Sequence, residues 1–253
     1  MIIAIANHKG GTGKTTTTIN LGVSLANMNF RVLLIDLDSQ GNLTYSFGID
    51  DDCLSISDVF TGKKTLEEVI VRKEGLDILP ANMQLSDIEL SLHSVDDRVY
   101  VLKYMLDPII ANYDYVLIDC PPSRSLLTIN ALIVADKVIS TILLDVLSIQ
   151  GLKHIRNTVN EIKEVFNEKL SFLGILAVNT DLRKKISLEV LDFIRKNIDI
   201  PLFMTNIRSN VKIAEAPSYA ESIFAYDPTS NGAVDYKSLA LEITTLKTMN
   251  EWL

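Results

Sequence analysis

His8-Lys9-Gly10-Gly11-Thr12-Gly13-Lys14-Thr15-Thr16 stands between the apolar run Ile2–Ala6 and a helical pattern reading from Thr15 to Asn29. A glycine-rich loop that leaves a buried strand and opens a helix is the context phosphate binding requires. The glycines Gly10, Gly11 and Gly13 let main-chain N–H groups turn inward around phosphate oxygens, and the helix N-terminus adds partial positive charge. Lys14 is placed to reach the β- and γ-phosphates of a nucleotide, and Thr15 to ligate magnesium. Gly10 through Thr16, with Thr12 and Thr16 inside the stretch, is therefore the expected phosphate cradle. The strict loop pattern wants glycine five residues before Gly13; His8 stands there instead, followed by an additional lysine, Lys9.

Working outward, apolar runs recur at Val32–Ile35, Leu76–Leu79, Tyr115–Ile118, Lys137–Leu143, Leu173–Val178 and Ile200–Phe203. Most are too short and too β-branched for buried helices. Helical patterns at Asp97–Asn112, Ser123–Ala135, Ile149–Phe166 and Leu188–Asn197 alternate with them, and Val234–Leu253 reads as a closing helix with Leu239, Ile243, Leu246, Met249 or Asn250, and Leu253 on one face. Such alternation predicts an α/β fold with a doubly wound, mostly parallel sheet flanked by helices. The segment 45–75, with Asp50-Asp51-Asp52 and Lys63-Lys64, reads as a surface excursion. No linker or repeat divides the chain, so residues 1–253 are expected to form one domain.

The chain of 253 residues is 47% apolar and carries a formal charge of −8. An acidic balance argues against a surface that binds nucleic acid everywhere, leaving room for a local basic patch. Two cysteines, Cys53 and Cys120, make neither a disulfide framework nor a four-ligand metal site, and a reducing cytoplasm fits. The longest apolar runs fall short of the roughly 18 to 20 residues that span a bilayer. The N-terminus has no basic region or cleavage site of a secretory signal, so Met1 is expected to be the native start.

Two strand ends carry carboxylates. Asp36-Leu37-Asp38-Ser39-Gln40-Gly41-Asn42 follows the second strand at the C-terminal sheet edge, where α/β ligands sit. Asp36 and Asp38 are expected to project toward the γ-phosphate or its metal. Tyr115-Val116-Leu117-Ile118-Asp119-Cys120-Pro121-Pro122-Ser123 is an apolar strand ending in Asp, and Asp119 is expected to hold magnesium through water. Cys120 reads as a small buried residue.

Lys9-Gly10-Gly11-Thr12-Gly13-Lys14-Thr15, taken with these two elements and with Ile207-Arg208-Ser209-Asn210-Val211-Lys212-Ile213-Ala214-Glu215-Ala216-Pro217-Ser218, resembles the ParA/Soj branch of the deviant Walker A (ParA/MinD) ATPases over nearly the whole chain. The resemblance implies ATP and Mg2+ as cofactors and a homodimer sandwiched around ATP, with Lys9 contacting the partner's nucleotide. It assigns the attacking water to Asp38 and makes Thr15, Asp38 and Asp119 the metal set. Non-specific DNA and a ParB-like adaptor with a basic tail are the implied partners. The implied location is cytoplasmic, and nucleoid-associated when ATP is bound. Arg208 and Asn210 occupy the family's adenine-framing positions, with Arg208 in place of proline, and Asn179 is a further candidate for the base edge. Ser39 replaces a proline, Ala220-Glu221-Ser222 replaces Gly-Lys-Pro, and Arg124 replaces leucine.

For DNA, the basic positions are Arg183-Lys184-Lys185, Arg195-Lys196, Lys212 and Lys237, with Lys184, Lys185 and Lys212 ranked first. No helix-turn-helix precedes the loop, so promoter reading through an N-terminal domain is not expected. A MinD-like membrane-cycling ATPase is the alternative reading, but Ser238–Leu253 holds one Lys against two Glu, a poor match to an anionic bilayer. A cluster-bridging iron protein would need two suitably placed cysteines per subunit. A nucleotide-holding module without turnover is disfavoured by intact Lys9, Asp38 and Asp119.

Overall fold

The computed structural model describes residues 1–250, with side chains placed through residue 247. Seven strands form one sheet: β1 (Ile2–Ile5), β2 (Val32–Asp36), β3 (Val71–Lys73), β4 (Leu76–Leu79), β5 (Tyr115–Asp119), β6 (Lys137–Ile142) and β7 (Ser171–Ala177). Their spatial order is β3-β4-β2-β5-β1-β6-β7, and every pairing is parallel except the β3–β4 hairpin. β1 lies at the centre between β5 and β6, so the loop that leaves it emerges where the strand order changes direction, the usual ligand position of such sheets.

Alternation along the strands sorts the core into two layers. Ala4, Leu33, Ile35, Val116 and Ile118 face one cluster, which α7 (Leu126–Val134), α8 (Val146–Val165) and α9 (Lys185–Asn197) cover. Ile3, Ile5, Val32, Leu34 and Leu117 face the other, covered by α1 (Lys14–Asn27) and α12 (Asn231–Asn250). Gly22 is needed in α1 because a β-carbon there would come within 2.5 Å of Leu34. Leu239 and Ile243 of the expected closing face are fully buried and Leu246 partly so; the Met249 and Asn250 side chains and Leu253 lie outside the described residues.

Three sequence expectations fail for local reasons. Ile200–Phe203 makes only a single parallel bridge, Ile175 to Leu202, because Pro201 has no N–H to continue a ladder. The Asp97–Asn112 pattern forms only α6 (Val101–Leu106) and a 3₁₀ turn at Ile110–Asn112, with Pro108 between them. The segment 45–75 is not a surface excursion. It supplies α3 (Ile56–Phe60), α4 (Leu66–Val69) and β3, and it buries Ile56, Leu66 and Val69 in one core layer and Phe47 in the other. Two further helices complete that side, α2 (Asn42–Ser46) and α5 (Gln84–Leu92), and α10 (Val211–Glu215) and α11 (Ile223–Tyr226) lead into α12.

Candidate active site

The loop after β1 is bent by two left-handed glycines, Gly11 (φ 70°) and Gly13 (φ 74°), and Gly13 is the N-cap of α1. No side chain caps that helix, so its first N–H groups face the loop interior. The loop is tied to the sheet from both ends. Asn7 donates to the Thr141 carbonyl at 2.7 Å and accepts from the Lys9 N–H at 3.0 Å, while Thr141 donates to the Thr12 hydroxyl at 3.3 Å. Lys14 is buried and donates to the Lys9 carbonyl at 3.3 Å. Burial depresses its pKa, against the raising influence of Asp119, Cys120 and Asp38, which places those three groups within electrostatic reach of the ammonium.

Parallel register brings the two carboxylate-bearing strand ends together: Asp36 is the partner of Asp119, which is also the partner of Ile5. Their environments differ. Asp36 is wholly buried and accepts from the Thr44 N–H at 3.0 Å, the Thr44 hydroxyl at 2.9 Å and the Asp38 N–H at 3.1 Å. Burial raises its pKa to about 6 despite those bonds. The expectation that Asp36 projects toward phosphate or metal is corrected here: its side chain turns into the protein and clamps the loop to α2. Asp38 remains half-buried, its carboxylate capping the Gln40 N–H at 3.0 Å.

Asp119 is 1% exposed, and among the described residues neither of its carboxylate oxygens has a hydrogen-bond partner of proper geometry. Burial and then the Asp36 charge push its pKa well up; the nearby Thr15 hydroxyl and Lys14 ammonium pull it down without overcoming them. A buried carboxylate with open lone pairs, beside a lysine and a hydroxyl, is a donor set that suits a hard divalent cation. Cys120 is buried and its thiol is pushed far up by burial, in keeping with a packing role.

Lys9 leaves the loop sideways. Its ammonium lies 3.1 Å and 3.3 Å from the Asp145 carboxylate and 3.4 Å from the Ser148 hydroxyl, at the start of α8. Asp145 is the N-cap of that helix, accepting from the Ser148 N–H at 2.7 Å. Burial raises the Asp145 pKa, but the Ser148 N–H and Lys9 outweigh it and leave the carboxyl below its ordinary range. Sequence reasoning passed over Asp145; Asp145-Val-Leu-Ser148 directly after an apolar strand was the available sign of a helix cap.

Val178 packs against Gly13, so the chain beyond β7 begins at the phosphate loop. There a cleft of about 930 Å³ opens, lined in part by Asn179 (φ 52°), Lys184, Arg208 and Asp235. Arg208 is held in a fork by Asp235 of α12, with Nη2 donating at 2.7 Å. Asn210 is not part of that lining; its side chain caps α10, accepting from the Lys212 N–H at 2.9 Å. Asn179 and Arg208 therefore share a cavity, while Asn210 shapes the segment that follows. Among the basic candidates, Arg183 pairs with Asp181, Lys185 with Glu189, Lys196 with Asp192 and Lys212 with Glu215, the last also lying over the Tyr226 ring.

Comparison with known proteins decides the kinship. Residues 1–172 match a family described as an AAA domain. The chain is 39% identical over 248 residues to the sporulation initiation inhibitor protein Soj of Bacillus subtilis, covering 96% of this chain and 97% of that protein. It is 38% identical to the chromosome partitioning protein ParA of Caulobacter vibrioides, covering 96% and 93%.

The chain belongs to the ParA/Soj branch of the deviant Walker A ATPases.

Among solved structures, a Mycobacterium smegmatis protein described as cobyrinic acid a,c-diamide synthase, with bound ATP analogue and magnesium, superposes at TM-score 0.83 with 34% identity over 94% of this chain and 92% of that one. The ParA/Soj fold is thus shared, over most of both chains, with a protein described by a different chemistry. Among the described residues of this ParA/Soj-type chain, no helix is long and apolar enough to cross a membrane.

Proposed function

We propose that this partitioning ATPase binds MgATP at Lys9–Thr16, closes as a homodimer over two nucleotides, and in that state holds DNA without sequence preference. Asp119 carries the reading: a buried carboxylate whose oxygens have no hydrogen-bond partner of proper geometry among the described residues is tolerated beside Lys14 and Thr15 because it serves a ligand. Thr15, Asp119 and Asp38 would hold magnesium, which supplies charge neutralisation at the β- and γ-phosphates. Lys14 holds the same phosphates from within the subunit. Asp38 orients the attacking water, its half-buried position leaving the carboxylate reachable.

Lys9 is proposed to act across the dimer. Its ion pair with Asp145 is about one-third exposed on the lysine side, so it is worth roughly 0–1 kcal/mol and is readily exchanged for a partner's phosphate. Closure then brings a cation to the transferring group, as an arginine finger does. Hydrolysis releases DNA, and a ParB-like adaptor with a basic tail accelerates it, drawn by the acidic surface of a chain with net charge −8. The location that follows is cytoplasmic, with nucleoid association in the ATP state. Lys184, Lys185 and Lys212 remain the proposed DNA contacts, although Lys185 and Lys212 must first leave their acidic neighbours.

Binding to random-sequence duplex DNA with ATP, ADP or no nucleotide tests this at several salt concentrations, in wild type, Asp38→Ala and Lys14→Ala. ATP alone is expected to promote salt-sensitive binding, with Asp38→Ala prolonging it and Lys14→Ala losing it. DNA ignored in every state by a protein that still binds ATP would sink the carrier reading.

A further inference from the structure

The cleft beyond Val178 is lined by two carboxylates, and each is closed by an arginine that lines the cleft as well. Asp235 accepts from Arg208 four times: from Nε at 3.1 and 3.0 Å, from Nη2 at 2.7 Å and from the main-chain N–H at 2.9 Å. Asp181 accepts from Arg183 Nε at 2.8 Å, Nη2 at 3.0 Å and the main-chain N–H at 3.2 Å. The two forks differ in setting. The Arg183 side chain is 91% exposed, so its pair is screened, whereas the Asp235 side chain keeps only 10% exposure beneath Arg208. Arg208 is therefore the one group whose removal would leave a nearly buried carboxylate facing the cleft.

Purine edges differ in what they ask of such a cleft. Guanine presents N1–H and N2–H₂ side by side, two donors that a carboxylate meets with parallel bonds. Adenine presents a single amino group beside the acceptor N1, a pattern that a neutral amide such as Asn179 meets. Burying guanine's two donors without acceptors is costly, and a site that lacks the matching groups rejects the base on that ground.

We infer that Arg208 is a specificity-determining residue: by occupying Asp235 it withholds the acceptor pair that guanine needs, and so turns the cleft toward adenine. This rests on the proposal that the cleft takes the base of the nucleotide whose phosphates sit at Gly13 and Lys14, the packing of Val178 on Gly13 being what joins the two.

The test is equilibrium binding of ATP, GTP and base-free tripolyphosphate, each with magnesium, to the full chain as wild type, Arg208→Lys, Arg208→Ala and Arg208→Ala/Asp235→Ala. Wild type is expected to prefer ATP to GTP. The preference should fall about tenfold in Arg208→Ala, the equivalent of one good hydrogen-bonded contact. It should fall less in Arg208→Lys, which can cover one carboxylate oxygen, and return in the double variant, where the freed carboxylate is gone. Tripolyphosphate binding should stay the same throughout. An ATP-to-GTP ratio unmoved by Arg208→Ala and Arg208→Lys overturns the inference, as does a double variant that keeps the lowered ratio. Arg208→Lys supplies the readout if Arg208→Ala does not fold. If wild type binds ATP no better than tripolyphosphate, the base lies outside the cleft, and the underlying reading falls together with the inference.

Discussion

Among the described residues Asp119, at the end of β5, has no hydrogen-bond partner of proper geometry to offset its burial, so ionising it in the nucleotide-free protein is destabilising. Its folded pKa lies above the unfolded value, so the folded state binds the proton more tightly and loses stability relative to the unfolded chain as pH rises past the ordinary carboxylate range. Asp119→Asn removes the charge while keeping the shape. Nucleotide-free Asp119→Asn is expected to match wild type near pH 4 and to exceed it by about 1–3 kcal/mol at pH 8, with magnesium-dependent turnover lost. Urea denaturation at the two pH values checks the stability, and a difference that shrinks with rising pH would contradict the sign. A second residue-scale outcome concerns Lys9. Asp145→Ala frees its ammonium from an ion pair worth at most about 1 kcal/mol, so the protein concentration giving half-maximal ATP turnover should fall by about two- to fivefold. Turnover that stays independent of protein concentration would argue against a role across the dimer. Motif chemistry in the sequence singles out Lys14 and Asp119 as candidates, and the family resemblance singles out Lys9. The turn of Asp36 into the protein was not legible there, because nothing in Asp-Leu-Asp says which carboxylate meets Thr44.

At the scale of elements, α8 gathers several roles on one helix. Asp145 and Ser148 hold Lys9, Glu161 pairs with Arg124 from the loop after β5, and His154 lies 6.5 Å from the His8 ring, centroid to centroid. Gly151 lets this helix approach the loop: a β-carbon there would come within 2.9 Å of Asn7 Oδ1, the atom that accepts the Lys9 N–H. Gly151→Ala is therefore expected to cost about 1–3 kcal/mol of overpacking and to weaken MgATP binding, because the displaced Asn7 no longer fixes the loop. Thermal melting and nucleotide titration of the variant read both effects, and an alanine variant with unchanged affinity would show that the contact relaxes freely. The strand and helix alternation was readable because buried parallel strands and amphipathic helices leave distinct periods. β3 was not, since a three-residue edge strand in which Arg72 and Lys73 are exposed is too short to show a strand period.

Over the whole molecule, a net charge of −8 and basic side chains paired with acidic neighbours limit how many phosphates a dimer can neutralise. DNA binding by the ATP state should consequently show a shallow salt dependence, with a log–log slope of about −2 to −4 from a few phosphate contacts per dimer, and Lys212→Ala should make the slope shallower. A slope unchanged by Lys212→Ala, Lys184→Ala and Lys185→Ala would remove all three from the interface. The sequence by itself determined the glycine-rich loop, the strand-end carboxylates and the doubly wound fold class, because main-chain turning, helix-terminus charge and side-chain periodicity are local properties that a short stretch of residues fully expresses. Only the tertiary structure decided that Asp36 is a clamp and Asp119 the open carboxylate, that Lys9 rests on Asp145, and that Arg208 closes on Asp235. Those pairings join residues from 8 to 136 positions apart, and which partner a charged side chain finds depends on how the sheet and its crossing helices bring distant strand ends and caps together.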